Sequence, residues 1–233
     1  MRTANSVQVL PARIIQIKCT TAYPINSDSD KFMTRKKILL ESQSYTFRSY
    51  FEMPYEADEI LAELGYSLIR RHIDLPKSNH PLQRLEELKQ RIEESLPLVS
   101  LSSETARRET LVAPTLLEVA RYCQCQVRIE YPLSVNNWLK GNLDYFLKHN
   151  PSLLVVEAKN DDLTRGFTQL AVELIAISQV EEGDIFYGCV TIGDAWRFGI
   201  LEKTNQQIFQ DISLYRIPND LEDLMRILVG ILA

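Results

Sequence analysis

Two carboxylates and an amine make the strongest chemical pattern in this sequence: Asp144, then Glu157 and Lys159, within Gly141 to Lys159, GNLDYFLKHNPSLLVVEAK. The aliphatics Leu153 to Val156 read as a strand buried on both faces, running directly into Glu157, Ala158 and Lys159. Side chains two apart on a strand share a face, so Glu157 and Lys159 point one way and Ala158 the other. Charges at the end of an interior strand are costly unless they are paired or bind an ion. The segment His149 to Ser152 reads as a turn, which sets Asp144 on a neighbouring strand with its carboxylate near that of Glu157. Two hard oxygen donors beside an ammonium suit a divalent cation that activates water, the chemistry of metal-assisted phosphodiester hydrolysis. Taken singly, Asp144 is an ordinary exposed aspartate near a strand or turn, and Glu157 with Lys159 a same-face ion pair, worth about 0–1 kcal/mol at an exposed position. Order, gap and buried strand together carry the reading.

Gly141-x-x-Asp144, twelve intervening residues, then Glu157-Ala158-Lys159 resembles the core motif of the PD-(D/E)xK nuclease superfamily, with Leu143 where the family usually has proline. The resemblance implies that Asp144 and Glu157 hold Mg2+ (or Mn2+), with the Ala158 carbonyl as a further ligand. Lys159 would orient or deprotonate the attacking water and steady the developing charge. Many members add a glutamate from the helix before the first strand, which makes Glu118 the choice here and Glu109 the reserve. Gln169 stands where nucleases similar to RecB place a glutamine near the site; their tyrosine four residues later is Glu173 here.

The implied fold is α/β, a restriction-endonuclease-like core with a central mixed β-sheet flanked by helices, plus an N-terminal α/β extension. The implied function is a Mg2+-dependent nuclease cutting DNA more readily than RNA. The alternative is a catalytically silent protein of that fold acting as a nucleic-acid-binding or regulatory module. A third reading is a small-molecule or nucleotide hydrolase with the same metal site. A homodimer would suit cleavage of two strands.

Composition sets bounds around this. A chain of 233 residues, 45% hydrophobic and 24% charged, can build one large domain or two small ones. No apolar run approaches the roughly 20 residues that cross a bilayer, and MRTANSVQV lacks a signal-peptide core, so a cytoplasmic protein with no membrane partner is expected. Cysteines at 19, 123, 125 and 189 lack disulfide-framework or zinc spacing, and the histidines at 72, 80 and 149 lack ligand spacing. His149 and Lys148 stand near enough to the turn to approach a phosphate. The net charge of -5 does not announce a nucleic-acid binder, but the acidic excess is concentrated late: residues 166–233 hold 4 Lys+Arg against 10 Asp+Glu. No glycine-rich phosphate loop or nucleophile elbow is present.

The elements that must position these residues follow in order. Residues 6–19 alternate as an edge strand or two short ones, 20–37 are loop-like and end on the basic cluster Arg35, Lys36 and Lys37, and Ile38 to Phe51 is β-favouring. Helices are expected over Tyr55–Tyr66 and Leu82–Leu96, with a strand within Ser67–Leu75 between them. Pro97 to Ser103 is the expected boundary, dividing 1–96, of no assigned role, from a nuclease-like domain 97–233. Beyond it come a helix capped by Ser103, strands over Gln126–Val135, Trp138–Leu147 and Leu153–Lys159, and a helix over Arg165–Val180. Strands over Gly183–Ile192, Ala195–Glu202 and Gln207–Tyr215 precede a final helix opened by Asn219 or Asp220.

Overall fold

The computed structural model describes residues 37–149 and 151–233. The strands of the described residues lie in one mixed sheet: β1 (Ser67–Arg71), β2 (Gln126–Ser134), β3 (Lys140–His149), β4 (Ser152–Ala158), β5 (Ile185–Thr191), β6 (Ala195–Glu202), β7 (Gln207–Asp211) and β8 (Tyr215–Arg216). Their order is β1-β7-β6-β5-β4-β3-β2, with β8 beside β6. The helices are α1 (Phe47–Glu52), α2 (Ala57–Glu63), α3 (Leu85–Ser95), α4 (Glu104–Arg107), α5 (Ala113–Cys123), α6 (Leu163–Val180) and α7 (Leu221–Leu232), with a π-helical turn, Arg108–Val112, between α4 and α5. β1 runs parallel to β7 and β4 parallel to β5; the other pairings are antiparallel. A parallel pair needs a crossover, and α6 provides it between β4 and β5.

Strand alternation sends apolar side chains to both faces, and helices cover each. Phe146 and Val155 pack with Phe47, Tyr50, Ile60, Leu61 and Leu170 from α1, α2 and α6. On the opposite face Leu147 and Val156 pack with Leu88, Ile92, Val119, Leu224 and Leu228 from α3, α5 and α7. Burying each such side chain contributes about 1.5–3 kcal/mol. Among the described residues no helix is long and apolar enough to cross a membrane.

Two sequence expectations change. Ile38 to Phe51 is not extended: its last residues form α1, because Thr46 and Ser49 make a capping box and Phe47 and Tyr50, three apart, bury on one side of a helical turn. Tertiary burial here outweighs the β preference of aromatic residues. The seam expected at 96/97 is a connection inside a compact unit, Lys37–Ala233. β1 extends the sheet beside β7, and Leu85, Leu88 and Ile92 share the core of α5 and α7. The strands expected within 6–19, the loop 20–36, Arg35 and Lys36 lie outside the described residues; Lys37 pairs with Glu41.

Candidate active site

β3 and β4 are antiparallel with Tyr145 opposite Val156, a register that continues to Asp144 beside Glu157. Asp144 Oδ2 accepts the Ala158 backbone N–H at 2.8 Å, tying the aspartate to the strand that carries Glu157. Lys159 pairs with Glu157 Oε1. Its own backbone N–H donates to the Thr191 carbonyl at 2.8 Å, so the end of β4 stays bonded toward β5. The three groups are sunk: side-chain exposure is 1% for Glu157, 12% for Lys159 and 13% for Asp144.

α6 supplies the floor. Asp162 caps it, its Oδ1 accepting the Thr164 and Arg165 N–H groups at 3.0 and 2.9 Å. Gly166 is where helix and strand end meet most closely: a Cβ there would stand 2.9 Å from Lys159 Cγ and 2.8 Å from Val190 Cγ2. Just under one turn later, Gln169 Nε2 donates to Glu157 Oε1 at 2.7 Å and to Glu173 Oε1 at 2.8 Å. Glu173 is wholly buried one turn beyond Gln169 on the same side of α6.

Crowded carboxyls out of water resist ionisation. Burial, then the neighbouring charges of Glu173 and Asp144, push Glu157 well above the usual carboxylate range, with Lys159 opposing. Burial pushes Glu173 up to about 8, against the hydrogen bonds from Gln169 and Glu157. Burial also raises Asp144, against the Ala158 N–H, Arg108 and Lys159. For Lys159 burial favours the neutral amine, but the charge and hydrogen bond of Glu157 outweigh it and the ammonium is held more tightly than usual.

The rest of the wall comes from residues the sequence did not single out. Arg108, the first residue of the π turn, donates from Nη1 to Glu130 Oε1 at 2.8 Å and to Asp144 Oδ1 at 3.5 Å, and from Nε to the Tyr145 hydroxyl at 3.3 Å. Its guanidinium lies over the Tyr145 ring. Glu130 has a left-handed φ of 51°, a strained conformation that coincides with a break in the β2–β3 pairing between Ile129 and Tyr131. Glu104 lines the same cleft, which has a volume of about 510 Å3 and is closed on another side by Phe47, Arg48 and Phe51 of α1.

Asp144, Glu157, Lys159 and Gln169 therefore meet in one cleft, with Ala158 bonded to Asp144. Glu118 does not: it is buried elsewhere, near Arg84 and Arg121, and Glu109 is exposed away from the cleft. α4, the π turn and α5 form one nearly continuous rod, and at 1.5 Å per residue Glu118 lies about 21 Å along it from Glu104. The rod's far end feeds β2 at Gln126, opposite Lys148, so its near end reaches the Asp144 half of the sheet. Glu104, on α4, is a glutamate that lines this cleft. Lys148 and His149 are engaged away from it, by Glu181 and the Leu232 carbonyl.

The donor set fits a small hard cation. Glu157 Oε2, Gln169 Oε1 and Asn160 Oδ1 are buried acceptors without a hydrogen-bond donor among the described residues. No group of three His, Cys, Asp or Glu side chains fit to hold a metal is found among the described residues; Mg2+ commonly takes one or two carboxylates and keeps its waters. No protein-family model, curated protein or solved structure matches this chain.

Proposed function

We propose that this chain is a Mg2+- or Mn2+-dependent hydrolase of nucleic-acid phosphodiesters, DNA ahead of RNA, built on a restriction-endonuclease-like core of the PD-(D/E)xK type. The observation that carries the reading is the meeting of Asp144 and Glu157, from adjacent strands, at a buried point beside the Lys159 ammonium. Asp144, Glu157 and the Ala158 carbonyl would hold the ion. When bound there it supplies a polarised phosphoryl oxygen and a more acidic water.

Lys159, whose ammonium form is favoured by its Glu157 partner, orients water and stabilises negative charge on the phosphoryl oxygens. Gln169 fixes the Glu157 carboxylate through its Nε2 donation. Glu157 Oε2, a buried acceptor without a donor among the described residues, would be open to the ion. The cleft brings Arg48, Arg108 and Lys159 against Glu104, Glu130, Asp144, Glu157 and Asp161. Carboxylates outnumber cations, so phosphate binding requires the site to be charged with its metal.

The silent-module reading also has an observation behind it: Lys159 on Glu157 and Arg108 near Asp144 compensate both acids without any ion. Calorimetry with Mn2+ separates the two. Binding that Asp144→Ala abolishes, with metal-dependent cleavage that Lys159→Ala removes, supports the hydrolase. Absence of binding, or binding that Asp144→Ala leaves unchanged, favours the silent module. Assays on single-stranded, duplex and branched DNA and on RNA identify the substrate form.

A further inference from the structure

Resting on the hydrolase reading, we infer that the cleft takes a single strand of nucleic acid, seated against α1, and refuses an intact duplex. The three groups that would meet the phosphodiester are at most 13% exposed, so the scissile phosphate must descend to them. The space above them, about 510 Å3, is in the range of sites that enclose a small ligand. Base-paired backbone carries its partner strand with it and cannot sink into such a space, whereas an unpaired nucleotide can be splayed into it.

The wall that narrows the cleft is anchored and not a loose flap. The Tyr50 hydroxyl donates to the Trp138 carbonyl at 2.7 Å, and the Tyr45 N–H to the Asn137 carbonyl at 2.8 Å. Gly141 on β3 has φ +148°, and a Cβ there would lie 2.8 Å from the Phe47 ring, so helix and strand touch where any side chain would part them. Phe47 and Tyr50 are themselves buried among residues of α6. Opening the cleft to a duplex would break all of these contacts at once.

The inner surface of that wall suits an unpaired strand. Phe51 is half-buried, with the Lys159 ammonium 5.0 Å from its ring centroid, and Arg48, exposed and paired with Glu52 at 2.8 Å, stands one turn earlier on α1. An aromatic face beside cations at a backbone-sized groove is how proteins hold single strands without reading sequence. Arg108, from the π turn, adds a third cation to the lining of the cleft.

The test is fluorescence anisotropy and cleavage in Mn2+ with four probes: a labelled single-stranded DNA, a single-stranded RNA, a duplex closed by hairpins at both ends, and bis(4-nitrophenyl) phosphate. Single strands should bind and be cut while the closed duplex is neither, and the DNA and RNA arms report the sugar. Phe51→Ala and the solvent-exposed Arg48→Ala should each weaken single-strand binding about tenfold, with Mn2+ calorimetry unchanged. A closed duplex cut as fast as a single strand, hydrolysis of the small diester alone, strand binding absent in the presence of Mn2+, or strand affinity unaltered in both variants overturns the inference. Each of those leaves the metal site itself standing, because the hydrolase reading fails on a separate result: no Mn2+ binding sensitive to Asp144→Ala and no metal-dependent hydrolysis of any probe.

Discussion

The Lys159 ammonium lies between a carboxylate that holds it and an aromatic ring that shields it. Lys159→Ala removes a donor aimed at developing charge and should lower the cleavage rate about 10²- to 10³-fold while Mn2+ binding persists in calorimetry. Glu173 gives a second prediction at this scale. Its folded pKa of about 8 lies above the ordinary 4.5, so between those values the folded chain binds more protons than the unfolded one. This contribution is complete below about pH 4.5 and is lost as pH rises toward 8, with a limiting slope of about 1.4 kcal/mol per pH unit. Glu157 and Asp144 shift in the same direction. Urea denaturation from pH 5 to 8 in EDTA should show Glu173→Gln flattening the decline seen in the unsubstituted chain. At this scale the Asp144, Glu157 and Lys159 convergence was legible, because strand alternation and a short turn constrain where those side chains meet. Glu104 and Arg108 were not, since periodicity gives the face of a helix but not which end of it returns to the sheet.

Among the elements, α6 and α1 set the dimensions of the cleft. Gly166→Ala introduces a methyl group 2.9 Å from Lys159 Cγ without backbone strain, and should cost about 1–3 kcal/mol in thermal unfolding. Its effect on cleavage should exceed its effect on stability, since the displaced group is the ammonium stem. The strands and helices beyond residue 103 were readable from period-2 and period-3.6 patterns, with most ends shifted by a residue or two, but the single strand expected over Gln207–Tyr215 is two, β7 and β8. α1 was missed because FRSYFE is rich in β-favouring aromatics, and only the burial of Phe47 and Tyr50 against α6 decides for helix. The π turn at Arg108–Val112 has no sequence signature of its own.

For the molecule as a whole, residues 37–96 matter to the sheet and to both of its cores, Phe47, Tyr50, Ile60 and Leu61 lying in one and Leu85, Leu88 and Ile92 in the other. A chain beginning at Pro97 lacks β1 beside β7 and lacks Leu85, Leu88 and Ile92 beneath α5, and should lose cooperative unfolding by circular dichroism. A proline and three serines within 97–103 suggest a linker in sequence, yet a surface loop joining two elements of one core has the same composition. Which strands pair across long separations, such as β1 with β7, is decided by packing and left no local trace.

Asn160, Asp161 and Asp162 lie between Lys159, just past the end of β4, and the start of α6. A helix turns about 100° per residue, so adding or removing one residue in this linker would spin Gln169 and Glu173 away from Glu157 unless the cap moved with them. The linker is in effect a ruler, and its length sets which helix residues can touch the acid. Single-residue insertions there should damage the site far more than substitutions at the same positions do.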